Sequence, residues 1–321
     1  MCTSISWKAG SHYFGRNLDL EGSYGEHIAI VPRNMPLKFH NGEATDNHFA
    51  LIGTAHIAGS YPLFYDAVNE AGVCIAGLNF PGNACYTGGD NSIACYEIAL
   101  YLLSKCESAR EAVHVFTEKG INGAPFHESM PATPLHFMIA DTKACFVVEP
   151  MADRIHVHEN PLGVMTNNPP FEFQKMNLNN YLNLSPCEPQ IRFSDKANLQ
   201  AYSRGMGAIG LPGDFSSQSR FVRAAFVKCN SPVSENPESN IMQFFRMLDS
   251  VAMPMGSVVL EGGHLDRTIY SSCCDADKGV YYYRTYENSL VHAVDIRKED
   301  LDGSELISYP MISNCHIEWQ N

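Results

Sequence analysis

No stretch of the 321 residues approaches the ~20 consecutive apolar residues of a membrane span, and no basic region followed by a hydrophobic run opens the chain. The expectation is therefore a cytoplasmic protein with no membrane partner. Positive charge is scarce as well, with 22 Lys and Arg against 35 Asp and Glu, a net charge of −13 and no basic cluster. That balance excludes nucleic acid and anionic membranes as partners, and an anionic ligand would need a locally positive pocket. Paired cysteine motifs are missing too. The eleven Cys are an odd number scattered without a C-x-x-C, so neither a disulfide framework nor a zinc site is indicated. His156 and His158 share a strand face, but two His alone do not make a metal site. Gly205-Met206-Gly207-Ala208-Ile209-Gly210 matches G-x-G-x-x-G, yet no clear strand precedes it and Pro212-Gly213 follows where a helix should continue. Dinucleotide binding is rejected, and no cofactor or metal is expected.

What is present is the composition of a globular protein, 45% hydrophobic and 18% charged, long enough to bury a large core as one big α/β domain or two smaller ones. Its first two residues carry chemistry. Behind Met1, the small side chain of Cys2 permits removal of the initiator, which would leave one residue bearing both a thiol and a free α-amine. With ordinary pKa values of about 8.5 and about 7.7–8.0, the amine can take the thiol proton without any histidine. Nucleophile and base would then share one residue.

The flanking sequence gives this dipeptide a setting. Residues 2–7 alternate as a half-buried strand, Lys8-Ala9-Gly10-Ser11 reads as a tight turn, and His12–Leu20 is a return strand. Such a hairpin places Cys2 opposite Asn17, Leu18 or Asp19, with facing Cβ atoms about 4.5–5.5 Å apart. Arg16 and Asp19 then reach the new N-terminus, the guanidinium favouring a thiolate and the carboxylate holding the amine. Because these two positions differ by an odd number, an ideal strand points them to opposite faces, and a bulge near Gly15 is expected.

Further along, residues 26–33, 49–57 and 61–69 read as strands, and 73–80 as a strand closed by the sharp turn Pro81-Gly82. Asn79 stands at its mouth, either as a turn-former or facing a ligand. A helix over Ile93–Leu103 and a second opened by the capping box Ser108-x-x-Glu111 and stopped at Gly120 precede a Pro-rich loop at 121–136. Strand patterns return at 136–141, 144–149 and 154–158, then in the short segment 163–170, which Asn-Asn-Pro-Pro breaks. Asn167 in that break could aim an N–H at a developing oxyanion, or simply make a turn. After irregular chain at 171–200, a helix begins at Ser216-Ser217. Arg220 falls in its first turn, where a cation opposes the helix dipole at about 0.3–1 kcal/mol. A residue set against local preference suggests a binding or electrostatic role, so its removal is expected to lower turnover far more than stability. A helix over Asn240–Ala252 and three strands within 267–296 complete the pattern of two stacked sheets covered by helices.

Taken together, the N-terminal Met-Cys-Thr, Arg16-Asn17-Leu18-Asp19, Gly77-Leu78-Asn79-Phe80-Pro81-Gly82, Thr166-Asn167-Asn168-Pro169 and the block from Tyr202 to Phe226 resemble the choloylglycine hydrolase family, in particular conjugated bile salt hydrolases. The likeness runs through nearly the whole chain in consistent order. It implies an α+β fold, the Ntn-hydrolase αββα sandwich of two stacked antiparallel sheets flanked by helices, as one domain over residues 1–321 with Met1 removed. It also implies a homotetramer. By position, it makes Cys2 the nucleophile with its amine as base, has Arg16 and Asp19 tune and hold that terminus, and builds the oxyanion hole from Asn79 and Asn167 with electrostatic support from Arg220. The implied reaction is hydrolysis of the amide between a bile acid and glycine or taurine. An apolar pocket should hold this small-molecule steroid, with Leu18, Tyr24, Ile57 and Phe126 as its expected lining. Penicillin V acylases share the chemistry but often carry tyrosine at position 79, so Asn79 leans toward bile salts. A steroid-binding protein without catalysis is a further alternative, against which the intact set of Cys2, Arg16, Asp19 and Arg220 argues.

Intact-mass analysis is expected to find a chain lacking Met1 and beginning at Cys2. An active preparation that keeps its methionine would rule out the free-amine mechanism.

Overall fold

The computed structural model describes residues 1–321. Its first hairpin follows the alternation in the sequence: β1 (Cys2–Ala9) and β2 (Ser11–Leu20) pair antiparallel about Gly10, whose φ of 74° suits a residue without Cβ. The register sets Cys2 opposite Leu18 and Ser4 opposite Arg16. The strand is not half-buried as expected; residues 2–7 are buried on both faces. Its polar face tolerates burial because Ser4 Oγ donates to the Gly15 carbonyl (3.0 Å) and Ser6 Oγ lies 2.9 Å from His12 Nε2.

β3 (Glu26–Val31), β4 (Leu51–Ala58), β5 (Tyr61–Asn69) and β6 (Cys74–Asn79) form an antiparallel meander. Two helices follow, α1 (Ile98–Lys105) and α2 (Ala109–Lys119). The first starts five residues later than the apolar spacing predicts, because Ile93 and Ala94 pair as a short strand with Ile121 and Asn122. The second keeps its expected limits, with Ser108 Oγ accepting from Glu111 N–H (3.2 Å) and Gly120 at the stop. β7 (Leu135–Ala140), β8 (Cys145–Pro150) and β9 (Ile155–Glu159) widen the meander, and β10 (Val164–Met165) returns the chain to β1. Then come α3 (Phe171–Asn177), α4 (Ser217–Cys229) and α5 (Pro237–Asp249). The last strands are β11 (Leu265–Asp275), β12 (Val280–Thr285), β13 (His292–Asp295) and β14 (Ile307–Pro310). β14 has no strong sequence pattern and was not expected; it closes an edge against β3.

Two large antiparallel sheets result. One orders its strands β10-β1-β2-β11-β12-β13, with Val258–Val259 pairing beside β11; the other runs β9-β8-β7-β6-β5-β4-β3-β14. α4 and α5 cover the first sheet, α1 and α2 the second, giving the expected αββα layering. Successive residues on the second sheet's strands enter different cores. Ile28, Ile30, Ile52, Ala76, Met138 and Val147 face the first sheet, whereas Val31, Leu51, Ile75, Phe137, Ile139 and Val148 face α1 and α2. Burial on both sides explains why these strands read as continuous apolar runs. The closed sandwich fixes the ends of β1, β2, β6 and β7 with respect to one another, and the chemistry-bearing residues cluster at that end.

Candidate active site

Cys2 begins β1 and is 3% exposed. Its Sγ accepts a hydrogen bond from Arg16 Nη2 at 2.6 Å, and its backbone N–H donates to Asn167 Oδ1 at 2.7 Å. Arg16 is 1% exposed and its other branch, Nη1, donates to the carbonyls of Tyr65 (2.9 Å) and Gly77 (2.6 Å) on the second sheet. Burial disfavours the charged guanidinium, but the facing Cys2 sulfur, with Tyr270 and Asp66, outweighs it and holds the group above its ordinary pKa. A permanently charged donor thus points at the sulfur from inside the sandwich.

Asp19 approaches the same strand end from the other face. No bulge at Gly15 is needed: the register slips instead on β11, between Thr268 and Tyr270, opposite Asp19 and Leu18. Gly15 has a different task, since a Cβ there would lie 2.0 Å from the Ser272 carbonyl, so it lets β2 and β11 approach. Asp19 Oδ1 accepts from Thr268 Oγ1 at 2.6 Å, while its buried Oδ2 has no partner. Burial raises the pKa of this carboxyl and Arg220 opposes the rise. Met1 continues the ladder, its carbonyl accepting from Asp19 N–H at 2.8 Å and its amino group lying 3.5 Å from Asp266 Oδ2.

Asn167 follows β10 in the turn containing the cis Asn168–Pro169 bond. Besides the Cys2 N–H, its Oδ1 accepts from Arg220 Nη2 (2.9 Å); its Nδ2 donates to the Asn79 carbonyl (2.7 Å) and its N–H to Ser217 Oγ (2.8 Å). Asn79, at the exposed end of β6, is thereby tied to the same cluster. Arg220 is fully buried. Its helix is capped by Ser216, whose hydroxyl accepts from Ser219 N–H, and places the guanidinium in four hydrogen bonds. Nη1 donates to the Cys2 carbonyl (2.5 Å) and Thr3 Oγ1 (2.7 Å), Nε to the Phe215 carbonyl (3.0 Å), and Nη2 to Asn167. Against the expectation that Arg220 contributes little to stability, its guanidinium satisfies acceptors from three separate segments.

Thus Cys2, Arg16, Asp19, Asn79, Asn167 and Arg220 come together, with Thr3, Ser217 and Thr268 as supporting partners; Thr3 and Ser217 lie within motifs of the sequence, and Thr268 carried no signal. The four expected pocket residues are spread around the same end. Leu18 is buried beside Cys2 in the inter-sheet core. Tyr24 lies exposed on the β2–β3 turn, its carbonyl bound by His56 Nδ1 at 2.9 Å next to Ile57. Phe126 packs against Tyr61 and Tyr96, with ring centres 5.4 and 5.2 Å apart. A polar cavity of about 390 Å³ lined by Lys8, His12, Lys143 and Lys228 opens at the opposite end of β1, roughly 20 Å from Cys2 at strand rise, and contains none of these residues.

Arg220→Ala should lower unfolding free energy by about 3–5 kcal/mol, since it strands buried acceptors on Cys2, Thr3, Asn167 and Phe215. Urea denaturation reads this directly, and an unchanged midpoint would show that the hydrogen bonds are dispensable to the fold.

Comparison with known proteins places this arrangement. The model of the linear amide C–N hydrolases, choloylglycine hydrolase family, matches residues 2–309. A bile salt hydrolase/transferase from Lactiplantibacillus plantarum is 48% identical over 98% of this chain and 98% of its own. The crystal structure of a C2A mutant of conjugated bile acid hydrolase from Clostridium perfringens superimposes with a TM-score of 0.92 at 36% identity, covering 100% of both chains. Penicillin V acylase from Agrobacterium tumefaciens shares the fold, with a TM-score of 0.76 at 22% identity over 96% of this chain and 90% of its own.

Proposed function

Since the chain belongs to the choloylglycine hydrolase family of linear amide C–N hydrolases, we propose that it hydrolyses the amide joining a bile acid to glycine or taurine, with Cys2 as nucleophile. The observation that carries this reading is the buried Arg16 guanidinium 2.6 Å from Cys2 Sγ, beside a Cys2 nitrogen bound by Asn167. Removal of Met1 turns that nitrogen into the α-amine, and the unpartnered Asp19 Oδ2 is an acceptor available to orient it. The amine takes the thiol proton as Sγ attacks the amide carbonyl. Negative charge on the carbonyl oxygen is met by Asn79 and Asn167, and each such donor contributes roughly 2.7–4 kcal/mol in the transition state. The proton then passes to the departing amino acid, water resolves the acyl-enzyme, and the amine serves again as base. Arg220 holds Asn167 and the Cys2 carbonyl in place throughout.

Leu18 forms the floor of the acyl pocket, and Tyr24, Ile57 and Phe126 its rim, apolar surfaces suited to a steroid. One catalytic domain spans the chain after Met1. No helix is long and apolar enough to cross a membrane. The eleven unpaired thiols suit a reducing cytoplasm. Assembly as a homotetramer would cover the side chains of Leu182, Phe193 and Tyr202, which leave 83, 91 and 82% of their surface exposed.

Release of amino acid from glycocholate, taurocholate and penicillin V, measured side by side, tests the substrate. Turnover of either bile salt well above penicillin V is expected; turnover of penicillin V alone would overturn the assignment.

A further inference from the structure

His136 and Glu149 form a hydrogen-bonded pair sealed inside the sandwich, 1% and 0% exposed, with His136 Nδ1 3.1 Å from Glu149 Oε1. The second ring nitrogen, Nε2, lies 2.8 Å from the carbonyl oxygen of Thr166. The carboxylate and the peptide carbonyl are both acceptors, so the ring is held between two fixed partners, one on each nitrogen. Burial opposes charge on Glu149, but hydrogen bonds from His136 and His158 hold its carboxyl down at about 2. The other charged or titratable groups nearby are His158, 3.6 Å from Glu149 Oε2, and Glu172 of α3, 3.9 Å from His158.

The pair touches both asparagine-bearing turns. Thr166, whose carbonyl His136 binds, immediately precedes Asn167. Glu149 accepts the N–H of Phe171 (3.0 Å to Oε1) just after the same turn, so the pair grips it on either side. On the other side the Phe80 ring, one residue beyond Asn79, stacks on the imidazole at 4.2 Å with an interplanar angle of 3°. His136 also stands beside Leu78 across the strand pair, adjacent to Asn79.

We infer that the hydrogen-bonded His136–Glu149 pair is a positioning unit that sets Asn79 and Asn167 at their working separation. The inference rests on the reading of these asparagines as oxyanion donors. Neither member touches the reacting atoms, so the effect must pass through Thr166 and Phe80. A shift of either asparagine loses stabilisation only in the transition state, which lowers kcat and spares ground-state binding.

The test uses whichever conjugated bile salt the enzyme turns over. His136→Gln and Glu149→Gln should each lower kcat by about tenfold or more while KM changes by less than about threefold, within the loss of about 10²–10³ known for a missing oxyanion donor. Alkylation of Cys2 by iodoacetamide, a displacement that forms no oxyanion, should proceed within about twofold of the parent rate. Unchanged kcat, or equal loss of kcat and alkylation, would overturn the positioning role. Asn79→Ala separates the two readings: if it leaves kcat intact the oxyanion assignment fails, whereas if it lowers kcat and the His136 and Glu149 variants do not, the positioning inference alone fails. Should either Gln variant not fold, Phe80→Leu, which removes the stacked ring and leaves the pair itself in place, still decides. A lower kcat with KM and the Cys2 alkylation rate kept is expected; an unchanged kcat would contradict the inference.

Discussion

The contact between the Arg16 guanidinium and the Cys2 sulfur ties the chemistry of this protein to its architecture. A cation without water must find fixed partners, and Arg16 finds them on both sheets, at Cys2 on β1 and at the Tyr65 and Gly77 carbonyls on β5 and β6. The spacing between the sheets therefore sets the geometry of the nucleophile. Behind Arg16 lies Asp66, buried and bound by Tyr270, Tyr281 and Ser272, the last at 3.1 Å. Ser272 Oγ in turn accepts the Arg16 backbone N–H at 3.1 Å, so a countercharge and the strand carrying the cation are linked through one hydroxyl. Burial raises the pKa of Asp66 and Arg16 opposes that rise.

A strand end offers two faces and an open backbone terminus, and this site uses all three. The thiol of Cys2 points between the sheets toward Arg16; its backbone nitrogen is met by Asn167; Asp19 and Arg220 close in from the helix side. In the proposed mechanism this division lets one residue supply nucleophile and base without crowding. The odd spacing of Arg16 and Asp19, which looked like a conflict in a regular strand, is what places one of them on each face.

Local patterns showed much of this in advance. The first hairpin, its register at Cys2, the cap at Ser108, the helix start at Ser216-Ser217 and the run of strands from 265 to 295 all follow from short-range alternation and turn chemistry. Tertiary pairing decided what the patterns missed: Ile93 and Ala94 became a strand only because Ile121 and Asn122 lie beside them, and β14 exists only as a partner to β3. Arg220 was visible as a cation out of place at a helix start, yet three of its four acceptors, on Cys2, Thr3 and Asn167, lie far away in sequence and could not be read from it. His136 and Glu149 gave no signal at all, since a polar residue near either end of an apolar strand ordinarily faces water.

In the proposed mechanism Cys2 carries the acyl group during turnover. Acid quenching of the enzyme during hydrolysis of glycocholate, followed by peptide mass mapping, reads this out. A cholyl adduct on the N-terminal peptide beginning at Cys2, on the sulfur or on the α-nitrogen to which a thioester can migrate, is the predicted result. Steady turnover with the adduct on another cysteine would contradict the account.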